Sequence, residues 1–175
     1  KRMIRHAEMT DLSAIADLEK ISYPSAESAS AESIAGRLTV FPDCFWLFEK
    51  DGKIVSFING MATQESDLRD AMYEQPQLHE PDGKWLMIFS VVTDPLQRGR
   101  GYAAQLMKQV IADSRASGRA GIVLTCKERL LPFYAQFGYQ SEGISQSVHG
   151  NAVWYQMRLR FSDGENGIHS PWKQI

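Results

Sequence analysis

Gln97-Arg98-Gly99-Arg100-Gly101-Tyr102-Ala103 separates two kinds of sequence. Before it, residues 85–92 are almost unbroken in apolar side chains, as in a strand buried on both faces in the middle of a sheet. After it, Ala103, Leu106, Met107, Val110 and Ile111 recur at helical spacing, with Lys108, Gln109 and Asp113 opposite and a stop near Gly118. Gly99 and Gly101 lack a β-carbon, so the turn between strand and helix can be tight and its N–H groups can approach a ligand closely. The following helix aims unpaired N–H groups and the positive end of its dipole at the same point. The segment reads as an anion cradle wide enough for pyrophosphate; the plain alternative is a glycine-rich turn with two solvated arginines.

Strand, glycine turn and helix also occur in dinucleotide-binding and P-loop proteins, but neither G-x-G-x-x-G nor G-x-x-x-x-G-K-[ST] is present. Arg98-x-x-Gly101-x-Ala103 instead resembles the R/Q-x-x-G-x-G/A signature of the GNAT N-acetyltransferase superfamily. A second segment agrees with it. Leu130-Leu131-Pro132-Phe133-Tyr134-Ala135-Gln136-Phe137-Gly138-Tyr139 places a proline at a helix start and a glycine at its end. By composition its aromatics are core; by pattern it resembles the family's FYxxxGF helix. The two signatures stand in the family's order, 31 residues apart from Ala103 to Tyr134.

The resemblance implies a mixed α/β acyl-CoA N-acyltransferase fold: a twisted central sheet of six to seven strands flanked by about four helices. It also implies acetyl-CoA as co-substrate. Val91, Val92 and Thr93 would pair with the pantetheine arm, Arg98, Gly99, Arg100, Gly101, Tyr102 and Ala103 would hold the pyrophosphate, and Tyr134 would be the general acid. The chemistry gives a reason for tyrosine. A thiolate leaving group needs a proton, and a phenol with a pKa of about 10 still carries one at neutral pH. Thr125-Cys126-Lys127-Glu128-Arg129-Leu130-Leu131-Pro132-Phe133-Tyr134 further resembles the arylalkylamine N-acetyltransferase branch, as do Phe57-Ile58-Asn59-Gly60 and Leu78-His79-Glu80. Two departures stand out. Met87 and Phe89 occupy the strand positions of that branch's catalytic histidines, and its cysteine-proline-leucine loop is reduced to Pro24.

A base must therefore come from elsewhere. His79, in a long loop, and His149, beside Gly150-Asn151 in a hairpin tip, have the right unperturbed pKa, although loop histidines are usually solvated. His6 and His169 lie near the ends of the sequence. Glu27 and Glu32 could bind a cationic substrate, and a water chain could replace a base residue.

The remaining elements fill in an α/β order. Residues 3–8 predict a short strand; Thr10 then caps a helix with Leu12, Ile15, Leu18 and Ile21 on one face. Residues 22–30, small and polar around Pro24, form either a connector or a substrate lid, followed by a helix at 32–38. Asp51-Gly52 joins residues 45–50 and 53–58 in a type I′ hairpin. Residues 63–84 are a polar excursion with a helical turn near 67–72, long enough to contribute to a pocket. Residues 122–125 form a strand parallel to the central one. Residues 143–148 and 152–159 close the sheet.

The composition fits this reading. With 175 residues, 43% hydrophobic and 23% charged, the chain is one domain over residues 1–160 with a tail at 161–175. The tail is either disordered or packed through Trp172 on the body or on a second copy, as in a homodimer. A net charge of −2 offers no attraction for nucleic acid or an anionic membrane but suits a cationic small molecule. Cys44 and Cys126 read as reduced thiols of a cytoplasmic protein, too isolated for a metal. No run reaches the roughly 18 apolar residues of a membrane span.

The function expected is acetyl transfer to a small-molecule primary amine, an arylalkylamine or polyamine. The alternatives are a protein N-terminus or lysine as acceptor, or a non-catalytic acyl-CoA-binding domain.

Overall fold

The computed structural model describes residues 3–162. Among them, seven strands form one sheet in the order β1-β2-β3-β4-β5-β7-β6: β1 (Ile4–His6), β2 (Phe45–Lys50), β3 (Lys53–Thr63), β4 (Trp85–Thr93), β5 (Gly121–Cys126), β6 (Gln140–Ile144) and β7 (Tyr155–Arg160). Five α-helices accompany it: α1 (Leu12–Ser22), α2 (Ala31–Val40), α3 (Ala71–Glu74), α4 (Tyr102–Ala116) and α5 (Leu131–Ala135). The expected mixed α/β architecture is present, with one helix more than expected. The tail lies outside the described residues apart from its first two.

The β2–β3 hairpin turns at Asp51 and Gly52, with φ of 52° and 78°, the double positive φ of a type I′ turn. Fully buried Phe57, Ile58, Met61, Leu86, Met87, Ile122 and Val123 make the centre of the core. Burial of these strands on both faces is why their sequences run apolar without alternation.

Some sequence expectations need correction. Thr10 is not the cap of α1. A 3-10 turn, Met9–Asp11, precedes the helix, and the Asp11 carboxylate accepts the Glu8 N–H at 2.8 Å and pairs with Arg5 at 2.9 Å. Ile21 is 60% exposed, while Ile15, Leu18 and Glu19 form the buried side of the helix. The last strand pair is displaced to 140–144 and 155–160. β6 is a mostly exposed edge strand of polar residues, so its hydrophobic pattern is faint in the sequence. Residues 145–154 form a loop closed by the Ser145 N–H on the Trp154 carbonyl at 2.7 Å.

One irregularity positions the site. The register of β3 with β4 passes from Asn59↔Ser90 to Gly60↔Ile88, so Phe89 is an extra residue, a β-bulge. The parallel pairing of β4 with β5 ends at Ile88 and Leu124, although β4 continues to Thr93. Beyond that point the two strands part, and a crevice opens at their C-terminal ends, the usual ligand position in a parallel α/β arrangement.

Candidate active site

The crevice contains two cavities that meet. The larger, about 500 Å³, is lined by Val91, Val92, Thr93 and every residue of the turn from Gln97 to Ala104. All the sequence-predicted coenzyme residues are thus on one groove. Gly99 and Gly101 have φ of 80° and 81°, and a β-carbon at either would meet no protein atom within 4 Å. Their requirement for glycine comes from the left-handed backbone, which costs other residues about 1–2 kcal/mol, and not from crowding by the protein. Gly101 is the N-cap of α4 and has no side chain with which to satisfy the first-turn N–H groups. Arg98 and Arg100 are exposed, with no ion pair among the described residues. Their charge is available to an anion in the groove. Tyr102 turns away, its ring 4.5 Å from that of Phe48.

The three strand residues are not equivalent. Val91 N–H and C=O both meet the Tyr23 hydroxyl, at 3.4 and 3.2 Å, so they face the open edge of β4. Successive residues alternate direction, which points the Thr93 backbone to the same edge and that of Val92 toward β3. The Val92 carbonyl indeed accepts the Ser56 hydroxyl at 2.7 Å. Only Val91 and Thr93 can offer backbone hydrogen bonds to an extended ligand, and at Val91 the ligand would replace Tyr23.

The smaller cavity, about 120 Å³, lies deeper, between α1, the bulged part of β4 and the end of β5. Tyr23, Tyr73, Phe89, Tyr134 and Trp154 give it aromatic walls, and Glu19 and Glu27 contribute carboxylates. All three long loops reach it: Pro24 and Glu27 from residues 22–30, Tyr73 from the excursion, His149 and Trp154 from residues 145–154. Its roof is pinned. Glu27 pairs with Lys127 at 2.8 Å, the Glu27 carbonyl accepts His149 Nε2–H at 2.8 Å, and Asp70 accepts the Ser147 hydroxyl at 2.6 Å. Gly150 lies so close that a β-carbon there would be 2.5 Å from Glu27 Cγ.

Six residues border both cavities: Ser22, Tyr23, Val91, Arg129, Leu130 and Tyr134. Tyr134 is 6% exposed, packed edge-on against Phe133 and Tyr139, and its hydroxyl has no hydrogen-bond partner among the described residues. Burial, helped by neighbouring Tyr23, raises its pKa well above the usual phenol value, so the proton stays on across the neutral range. Cys126, also in the smaller cavity, has its thiol pushed up to about 11 by burial.

The candidate bases separate. His79 lines neither cavity; its Nδ1 accepts the Ala62 N–H at 3.1 Å, its ring packs on Phe41 at 4.9 Å, and burial lowers its pKa. His6 is likewise remote, bonded to the Phe45 carbonyl, and His169 is outside the described residues. His149 is in the smaller cavity, stacked on Tyr73 at 4.7 Å. Glu27 is there too, whereas Glu32 is not. Met87 is fully buried and Phe89 packs against Tyr73 at 4.9 Å, so neither strand position supplies a base.

Sequence reading missed Glu19 and Arg37. Arg37 is 3% exposed, donates to Asn59 Oδ1 and the Tyr73 carbonyl at 3.0 Å each, and lies 4.6 Å from the Phe89 ring centroid. Burial lowers its pKa. The signal for Glu19 was available: a carboxylate four residues after Ile15, inside the apolar stripe of α1. Among the described residues, no cluster of metal-ligating side chains exists, and no helix is long and apolar enough to cross a membrane.

Comparison with known proteins agrees with this fold. Residues 12–139 match the model of the acetyltransferase (GNAT) family. Serotonin N-acetyltransferase of Mesocricetus auratus is 26% identical over 124 residues, covering 69% of this chain and 58% of that protein. Among solved structures, the GphF GNAT-like decarboxylase in complex with isobutyryl-CoA superposes with a TM-score of 0.79 at 22% identity, covering 91% of this chain and 99% of that one. The loading GNATL domain of CurA from Lyngbya majuscula gives 0.77 at 17% identity, over 90% and 96% of the two chains.

Proposed function

The chain belongs to the acetyltransferase (GNAT) family, and from that premise we propose that it transfers acetyl from acetyl-CoA directly to the primary amine of a small molecule, an arylalkylamine or a polyamine. The observation that carries this reading is the junction of the two cavities at Tyr134. Pyrophosphate lies on the Arg98–Ala103 turn, pantetheine runs along Val91 and Thr93, and the thioester arrives where the smaller cavity begins.

The amine nitrogen forms a bond to the thioester carbon, the C–S bond breaks, and the Tyr134 O–H gives its proton to the departing sulfur. A proton released by the amine leaves through a base or water, and solvent restores Tyr134. Burial raises the phenol's pKa, but it disfavours the thiolate in the same crevice as well, so the proton transfer is less uphill than the phenol alone suggests. Direct transfer is supported by Cys126, whose thiol at about 11 provides little thiolate at neutral pH to carry an acetyl group. Aromatic walls and two carboxylates suit an ammonium group on an aryl or aliphatic arm. The roof of pinned loops favours a small acceptor over a peptide, which needs an open groove.

The test is a thiol-release assay with acetyl-CoA and three acceptors: tryptamine, spermidine and a peptide with a free N-terminus and lysine. Acetylation of either small amine is expected. Activity on the peptide alone would assign a protein acceptor, and coenzyme binding without transfer to any amine would make the chain a binding domain.

A further inference from the structure

α1 carries one of the two carboxylates of the smaller cavity, and its setting suits more than attraction of a cation. Glu19 is 3% exposed, beside Ile15 and Leu18 on the buried side of the helix. Its Oε2 accepts the Ala29 N–H at 2.9 Å, which ties the helix to the loop over the cavity. Its Oε1 is buried without a well-formed hydrogen bond, although the Ser90 hydroxyl lies near enough to favour the ionised carboxylate. A buried carboxylate oxygen with so little direct hydrogen bonding is costly, and its presence asks for a function.

The surroundings point to proton transfer. Arg37, the charged group that compensates Glu19 from α2, spends its hydrogen bonds on Asn59 and Tyr73 and forms no ion pair with it. Tyr73, Ser90 and His149 approach from α3, β4 and the 145–154 loop, with Tyr23 and Glu27 from the adjoining loop. Besides the acceptor cavity, Glu19 lines a second space of about 20 Å³ bounded by Arg37, Tyr73, Ser90 and His149. That space has the size of a single water molecule and polar groups on its walls.

We propose that Glu19 is the proton acceptor for the incoming ammonium, reached through one water seated in this space. The inference rests on the amine-transfer reading above. The ammonium gives a proton to the water as that water gives one of its own to Glu19 Oε1; the neutral amine then forms the C–N bond, its second proton leaves to solvent as the C–S bond breaks and Tyr134 protonates the sulfur, and Glu19 returns its proton to solvent afterwards. His149 is the weaker candidate. A carbonyl can only accept, so His149 Nε2 holds a proton for Glu27, and protonation of the ring would place a second cation beside the ammonium. A carboxylate attracts the cation before it takes its proton. Burial raises the Glu19 pKa, opposed by the Ala29 N–H, the Arg37 charge, the Ser90 hydroxyl and His149, which brings this base closer to neutrality than an exposed glutamate.

The test is the pH dependence of kcat/KM for tryptamine at saturating acetyl-CoA, from pH 6 to about pH 10, where aliphatic amines lose their proton. Glu19→Gln keeps an oxygen for the Ala29 N–H but cannot take a proton. It is expected to lower kcat/KM about 10²- to 10⁴-fold at neutral pH, with acetyl-CoA affinity unchanged. The deficit should shrink about tenfold per pH unit toward pH 10, because a neutral amine needs no base. His149→Gln, whatever its level of activity, should keep the wild-type shape of the profile. A wild-type rate in Glu19→Gln at pH 7, or an equal deficit at every pH, would make Glu19 a loop anchor and overturn the proposal, as would a pH-dependent deficit in His149→Gln instead. Wild-type protein that acetylates no amine would overturn the functional reading and this inference with it.

Discussion

The proposed coenzyme groove and the proposed acceptor cavity share a wall but are built in different ways. The phosphate end of the groove is backbone from one continuous turn, residues 97–104, with glycines at φ near 80° leading into a helix N-terminus, and residues 91–93 extend it along β4. The cavity is made of side chains from α1, three loops, β4 and β5, brought together by pairs as distant in sequence as Glu27 and Lys127. A diphosphate needs N–H groups and positive charge, which one local conformation supplies. An acceptor pocket needs shape, and shape comes from packing between distant parts of the chain. Changes on the two sides should therefore separate: the groove should control coenzyme affinity, the cavity should control the acceptor, and only their junction should control chemistry.

The junction carries the largest expected effect. Tyr134→Phe keeps the ring and its packing, so thermal stability and acetyl-CoA affinity should hold while kcat falls by about 10² to 10⁴. Acyl donors with a more acidic thiol should lose less, since their sulfur leaves without a proton. A fully active variant in steady-state assays would reduce Tyr134 to a core aromatic.

In the groove, Gly101→Glu sets a side chain at φ 81° and an anion among the phosphates. Like-charge contacts of this kind cost several kcal/mol, so calorimetry should show acetyl-CoA binding weakened about a hundredfold or more in a folded variant. Unchanged affinity would remove the groove from the account.

The roof should respond more mildly. Lys127→Met leaves Glu27, 8% exposed at its side chain, without its partner. KM for the amine should rise about tenfold, the equivalent of one charge-assisted hydrogen bond, with acetyl-CoA affinity unchanged. An equal effect on both substrates would show that the roof also shapes the groove.

The smallest expected effect is on stability. Burial raises the Glu19 pKa in the folded state above its ordinary value of 4.5, so above that pH the folded protein holds more protons than the unfolded chain. Stability contributed by this group must then fall as pH rises from about 4.5 through the raised value. Urea titrations should show Glu19→Gln losing that part of the pH dependence and gaining stability relative to wild type at neutral pH. A variant less stable than wild type at pH 7 would mean that Arg37 overcompensates the buried charge.

The same contrast explains what the sequence could reveal. The positive-φ turn at Gly99 and Gly101 and the buried aromatic helix at Tyr134 were legible because local patterns carry them: a glycine turn, a helix start, an aromatic pair before a glycine. The β2–β3 hairpin was legible for the same reason. His79 and His149 were indistinguishable as sequence, both histidines in polar loops; only the fold packs one on Phe41, outside both cavities, and stacks the other on Tyr73 in the cavity. Val92 looked equivalent to Val91 until its pairing with β3 fixed which edge its backbone faces. Glu19 and Arg37 were hidden by helical pattern, since a charged residue in an apolar stripe is easily read as an interruption. β6 was misplaced because an exposed edge strand need not be hydrophobic.

The most direct test is a crystal structure with a non-hydrolysable acetyl-CoA analogue. The pyrophosphate is expected on the N–H groups of residues 99–103, the pantetheine arm on Val91 and Thr93 with Tyr23 displaced, and the sulfur position within about 3 Å of the Tyr134 hydroxyl. Phosphates elsewhere, or an acyl group pointing away from Tyr134 and the cavity beneath the roof, would contradict this placement.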